Sequence, residues 1–164
     1  MSGTDLEPAE TVTVQRTYTA SVDAAFEAWT SPAALEQWFG PPGFRAKVLS
    51  HELRVGGGWR FRMVSKDGDA YHHFGRFLEI DAPHRLVFTW ASEEQVDGWR
   101  DVNGDPTRVT VTFKAVAAGV TVTVTHQRLA TALARQALTG GWGGGLVCLE
   151  GFLHKPESGR WAHL

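Results

Sequence analysis

The stretch "TGGWGGGLVCLEGFL", Thr139–Leu153, decides the fold. Glycine-rich runs can cradle phosphates, and they can also weaken helices. A phosphate loop needs its glycines after a buried strand, with Lys and Ser or Thr closing the motif. Here the run follows a helix-forming segment, "LATALARQAL" (Leu129–Leu138), and is closed by Leu146 and Val147 with no lysine. Nucleotide binding is rejected on that pattern. At a helical repeat Trp142, Leu146, Leu149 and Leu153 fall in one stripe, with Phe152 at its edge. Glu150 and His154 share a polar side, and Gly144, Cys148 and Gly151 form a strip of small residues. The stretch therefore reads as a helix whose start is blurred near Gly140–Gly143. Upstream, Leu129, Leu133 and Ala137 fall in phase. Each interior glycine costs a helix about 1 kcal/mol relative to alanine. Either the small strip lets another element approach closely, or it leaves volume for a ligand; the second reading is preferred.

What this helix must cover is set by the residues before it. "TRVTVTFKA" and "GVTVTVTHQ" form a hairpin across Val116–Gly119. Val109, Val111 and Phe113 face one way with Val120, Val122 and Val124, and the threonines face the other. His126 falls on the apolar parity of its strand. Further upstream, "VGGGWRFRMVS" places Trp59, Phe61 and Met63 opposite Arg60 and Arg62, and "RLVFTWA" groups Leu86, Phe88 and Trp90. "KDGD" (Lys66–Asp69) and "DAPH" (Asp81–His84) are turn signals. "FRAKVLSHEL" alternates from Phe44. In "AYHHFGRFLEI" two parities stay open: Tyr71, His73 and Phe77 inward, or His72, Phe74 and Leu78. Gly75 could mark a bulge that switches faces.

The first half adds one strand, "TVTVQRTYTA" (Thr11–Ala20), and two short helices. Ser21 can cap the first, with Phe26 and Trp29 on one face. Ser31 and Pro32 start the second, whose stripe is Leu35, Trp38 and Phe39. "GPPG" (Gly40–Gly43) ends it. The order is strand, two helices, about six strands and a last helix. That order implies an α+β fold with an antiparallel sheet, and the last helix is the only large element left to cover its apolar face.

The chain has 164 residues with 43% hydrophobic and 21% charged residues, as expected of a globular chain with its own core. A net charge of −2 argues against general nucleic-acid binding. The single cysteine, Cys148, excludes an internal disulfide. No apolar run approaches the length of a membrane span. The acidic start "MSGTDLEPAE" is no signal peptide. A cytoplasmic location is expected, with residues 1–10 a flexible leader, 11–154 a single domain and 155–164 a polar tail. Ser92–Pro106 is a polar loop.

In this order, the segments "ASVDAAFEAWTSPAALEQWFGPPGF", "VGGGWRFRM", "FGRFLEIDAPHRLVFTW", the "VTVTF…VTVTVTH" hairpin and the closing "GW…L..L…L" resemble homologues of the C-terminal domain of the Hsp-90 ATPase activator. These belong to the START-like (SRPBCC) superfamily, which includes the birch-pollen allergen and the polyketide cyclases. The resemblance spans about Thr11–Leu153. It implies a helix-grip fold, in which a curved antiparallel sheet wraps a long C-terminal helix, and a cavity between them that often binds an apolar small molecule. It also raises a chaperone as partner, though the activator's extra N-terminal domain has no room here. The glycines of the last helix and the Ser92–Pro106 loop depart from the pattern.

Several chemistries are rejected on spacing. No HExxH or CxxC motif offers a metal site, and adjacent His72 and His73 point to opposite faces. There is no GxSxG elbow, and Cys148 reads as a structural thiol. No catalytic residue, metal or cofactor is assigned. The expected ligand cavity comprises Trp38 and Phe39, then Trp59, Phe61 and Met63 from one strand face. Tyr71 and His73, Phe88 and Trp90, and Phe113 and His126 follow from later strands. Trp142, Leu146, Cys148 and Leu149 come from the last helix. His126 is either a satisfied core histidine or, with Tyr71 or His73, a polar anchor for the ligand. The expected function is binding of a small apolar or aromatic ligand. The alternatives are a chaperone-linked interaction protein and a cyclase- or hydrolase-type enzyme using His126 as acid or base. The sequence leaves homodimer formation open.

Overall fold

The computed structural model describes residues 11–94 and 105–154. The leader at 1–10, the tail at 155–164 and loop residues 95–104 lie outside the described residues. The chain runs β1 (Val12–Tyr18), α1 (Val22–Thr30), α2 (Pro32–Trp38), β2 (Arg45–His51), β3 (Gly58–Val64), β4 (Ala70–Asp81), β5 (Arg85–Ser92), β6 (Thr107–Val116), β7 (Gly119–Gln127) and α3 (Ala132–Leu153). The strands form one antiparallel sheet in the order β1-β7-β6-β5-β4-β3-β2. With the long last helix packed on its apolar face, this is the α+β helix-grip arrangement.

Local signals place the helices. Ser21 and Ser31 accept from the backbone N–H groups of Ala24 and Ala34, satisfying donors that a helix start leaves orphaned. Pro32 occupies the first turn of α2. Gly40 and Gly43, both at positive φ, turn the chain out of α2 and into β2. The α3 cap is Thr131, whose side chain accepts from Ala134 N–H.

Strand faces follow the period-2 pattern. Trp59, Phe61 and Met63 are buried, as are Leu86, Phe88 and Trp90, and the six inward residues of the β6–β7 hairpin. On β4 the inward set is the Tyr71, His73 and Phe77 parity, with His73 and Phe77 buried and Leu78 exposed. The bulge lies at Phe77–Glu79 rather than at Gly75. Gly75 has another task. It pairs with Trp59, whose ring lies across it, and a Cβ there would strike both that ring and the Thr89 carbonyl.

Helix α3 is continuous through its glycines, beginning eight residues before the blurred start read from sequence. Its buried positions are Ala134, Trp142, Gly145, Leu146 and Leu149. Leu133, in phase by sequence, is 76% exposed, while Leu129 is buried just before the helix. The buried stripe through Trp142, Leu146 and Leu149 sets the phase, and on a continuous helix Leu133 lies opposite Trp142, so Ala134 is buried instead. The C-terminal half is tied down. Tyr18 donates its O–H to the Leu146 carbonyl at 2.8 Å, and Arg16 pairs with Glu150. No helix among the described residues is long and apolar enough to cross a membrane.

Candidate functional site

The sheet face under α3 is dense with rings. Trp59 and Trp90 lie 4.9 Å apart, Trp90 and Trp142 5.5 Å, and Phe39 stacks on Trp90 at 5.4 Å. Two buried histidines fix this cluster. Trp142 donates its indole N–H to His126 Nδ1 at 3.0 Å, and Trp90 donates to His73 Nδ1 at 2.9 Å. Because Nδ1 accepts, each neutral ring carries its proton on Nε2. His126 Nε2 then donates to Thr107 Oγ1 at 2.7 Å, and Thr107 donates to the Trp90 carbonyl at 2.8 Å. A chain of hydrogen bonds thus runs from α3 through β7 and β6 to β5. Burial makes a charged imidazole costly. It pushes the pKa of His126 down to about 3 and that of His73 down to about 4.

Beside this cluster the packing fails to close. A cavity of about 280 Å³ opens between the Gly40–Pro41 turn, strands β3 to β5 and the N-terminal half of α3. Seven of the residues expected from sequence come together on its wall: Trp38, Phe39, Met63, Tyr71, His73, Trp90 and Trp142. Trp59, Phe61 and Phe88 instead line a recess of about 20 Å³ behind it, which shares Phe39 and Trp90 with the cavity. Trp29 and Trp59 border that recess, and their buried indole N–H groups have no hydrogen-bond partner among the described residues.

The remaining expectations need correction. Phe113, Leu146 and Leu149 are packed core away from the cavity wall. Cys148 is half-buried on α3 and does not reach it. His126 is fully buried, lies off the cavity wall and has both ring nitrogens engaged by Trp142 and Thr107, the arrangement of a satisfied core histidine. The strip of small residues is also reassigned. A Cβ on Gly144 would lie 2.6 Å from Pro42 Cδ, so Gly144 serves close packing of the turn. The glycines on the cavity wall are Gly141 and Gly145. A Cβ on Gly141 would meet nothing within 4 Å.

Sequence reasoning missed Phe44, Ala134, Ala137 and Leu138 on the wall as well. The four-residue spacing of Gly141 and Gly145 placed both on one helix face and was the readable signal.

On the opposite face of β4, His72 Nδ1 lies 2.7 Å from Glu94, with Glu93 near and paired to Arg60. The hydrogen bonds from His72 hold the Glu94 carboxyl below its ordinary pKa. His72, Glu93 and Glu94 are close enough to share an ion. They are already paired, however, and they face away from the cavity.

The family model described as "Activator of Hsp90 ATPase homolog 1-like protein" matches residues 19–153. The chain belongs to this family. No curated protein matches it. Similar solved structures show the same fold. A Chromobacterium violaceum protein is 24% identical, with a TM-score of 0.79, covering 90% of this chain and 99% of its own. An Arthrobacter aurescens protein is 23% identical, with a TM-score of 0.77, covering 92% and 89%. The AHSA1 protein of Silicibacter pomeroyi is 22% identical, with a TM-score of 0.70, covering 85% and 94%. At these identities the likeness speaks to the fold. What this member of the activator-homologue family does must be argued from its own cavity.

Proposed function

We propose that this family member is a small-molecule-binding protein whose cavity under the N-terminal half of α3 takes an apolar ligand. One observation carries the reading. Gly141 weakens the helix, meets no neighbour that would forbid a side chain, and lines the cavity. A purely structural helix would gain stability from alanine there. Keeping the position bare keeps the volume open. The lining is otherwise aromatic and aliphatic, with few polar groups, as small-molecule sites usually are.

Native mass spectrometry of the purified protein, before and after incubation with a mixed apolar compound set, tests the reading. Adducts that disappear in Gly141→Leu support it. The absence of any adduct across the set counts against it.

A second reading, a chaperone-linked interaction protein, is supported by the family description and by the exposed apolar side chains of Leu53, Val55 and Leu78. It predicts that charge substitutions at these three residues abolish recovery of a chaperone from lysate, while Gly141→Leu has no effect on it.

A further inference from the structure

We infer that the recess behind the cavity binds one water molecule, held by Trp29, Trp59 and His51 as a polar tie between α1 and the sheet. This site is separate from the cavity under α3 and does not depend on what that cavity takes.

The donors come from two elements. Trp29 on α1 and Trp59 on β3 are each 4% exposed, and both line the recess. Their indole N–H groups are shut off from solvent and bond to no described residue. An indole N–H can only donate, and a buried donor left without a partner costs about 1–3 kcal/mol. The other described tryptophans are buried too, yet each is served. Trp38 donates to the Ala28 carbonyl at 2.8 Å, Trp90 to His73 at 2.9 Å and Trp142 to His126 at 3.0 Å. The two orphan donors are therefore the exception within one ring cluster, and they share one recess.

The acceptor is on the same wall. His51 lines the recess and is the cross-strand partner of Trp59. Burial lowers its pKa, so the ring is neutral at pH 7. Its own backbone carbonyl draws the ring proton to the nearer nitrogen, which leaves the other nitrogen as an acceptor. Phe77 packs edge-on against the ring, with centroids 5.5 Å apart, and steadies it. The remaining side chains of the recess are leucine and phenylalanine, with Trp90, whose N–H is spent on His73.

The wall thus offers two donors and one acceptor around a small space. A water oxygen accepts from both indoles while one of its hydrogens goes to His51. Buried waters make about three such bonds, and three are on offer. Volume agrees. One water needs at least about 10–15 Å³, and the recess has about 20 Å³. That admits one water and excludes an organic molecule. An apolar space of this size would stay dry; the three polar groups make this one wet. Because Phe39 and Trp90 belong to both the recess and the cavity, the water braces the cavity wall from behind.

Water-selective NOE and ROE spectra of the full chain, labelled at the indole nitrogens, test the site. Water cross-peaks are expected at the Trp29 and Trp59 indole protons. The NOE and ROE should have opposite signs, the mark of a water that tumbles with the protein. Trp38, bonded to a carbonyl, should show none. His51→Leu, which removes the acceptor at similar volume, should abolish both cross-peaks together while circular dichroism stays native. His51→Gln, which restores an acceptor, should keep them.

If neither indole shows a water cross-peak in the unaltered protein, the recess is dry and the proposal is overturned. A cross-peak at one indole alone overturns the shared water. Cross-peaks that survive in His51→Leu overturn the role of His51 as acceptor.

Discussion

Helix α3 covers two different interiors. Its C-terminal half seals a packed core: Leu149 is fully buried, the Leu146 carbonyl is held by Tyr18, and Glu150 by Arg16. Its N-terminal half roofs a hollow, with Leu133 exposed, Ala134 and Trp142 buried on the cavity wall, and Gly141 facing empty space. The same device, a neutral histidine accepting a tryptophan N–H, holds both tryptophans of the hollow. His73 lies on the cavity wall with Trp90, whereas His126 lies in packed core and holds Trp142 from behind. Identical chemistry thus fixes the wall from within the cavity and from the core. What separates them is side-chain volume on the helix, not polarity beneath it.

Acid should break this comparison most forcefully. Both histidines are neutral when folded, at about 3 and about 4, and titrate near 6.5 when unfolded. Below pH 6.5 the unfolded chain binds more protons, so stability falls as pH falls and levels off below the folded values. The combined loss between pH 7 and pH 4.5 should be on the order of 5 kcal/mol. Urea midpoints at pH 7, 5.5 and 4.5 measure it.

Next in size is the removal of the sealed histidine. His126→Leu strands the Trp142 N–H and takes away the donor to Thr107, and should cost about 2–4 kcal/mol at pH 7. Down to pH 4.5 it should flatten the pH dependence about as much as His73→Leu does, because both folded values lie below that pH. No flattening in either variant would show that these histidines are not the source of the acid sensitivity.

The same substitution made three residues apart should then give opposite signs. Gly144→Ala drives a methyl into Pro42 and should lose about 1 kcal/mol net of the helix gain. Gly141→Ala, with nothing to strike, should gain about 0.5–1 kcal/mol. Chemical denaturation of the pair decides whether the two glycines differ as described.

The smallest effect is expected from Tyr18→Phe. It removes one buried hydrogen bond to α3, worth about 1 kcal/mol. Because Tyr18 and Leu146 lie off the cavity wall, the adducts seen by native mass spectrometry should not change.

Much of this was legible in the chain because local rules carried it. Ser21, Ser31 with Pro32, and the "GPPG" turn each announce a boundary through backbone chemistry of a few residues. Alternation in β3, β5, β6 and β7 assigns faces because the side-chain period of a strand is two. The failures arise where distant residues decide. Leu133 fits a stripe with Leu129, but the helix runs unbroken through its glycines and the Trp142–Leu149 stripe sets the phase. His126 could have been an anchor until Trp142 and Thr107 took both its nitrogens. Gly144 and Gly141 look alike in sequence, and only the position of Pro42 gives one a packing role and leaves the other beside open space. The cavity wall took Ala134, Ala137, Gly141 and Gly145 from α3, small residues that carry no chemical signature of their own.

Among the described residues strand β1 pairs only with β7, beginning with Val12 opposite His126, and it also holds the last helix through Arg16 and Tyr18. A ribosome therefore makes the first strand long before its partner exists. Chains fold as they emerge, N-terminus first, and distant pairings close slowly. During synthesis the alternating segment "VTVQRTY" waits with both edges bare, a liability for a nascent chain. A stalled chain ending before Gly119 would present that strand to any passing edge. The hollow under α3 is roofed by residues as late as Gly145, so it is among the last features the molecule acquires.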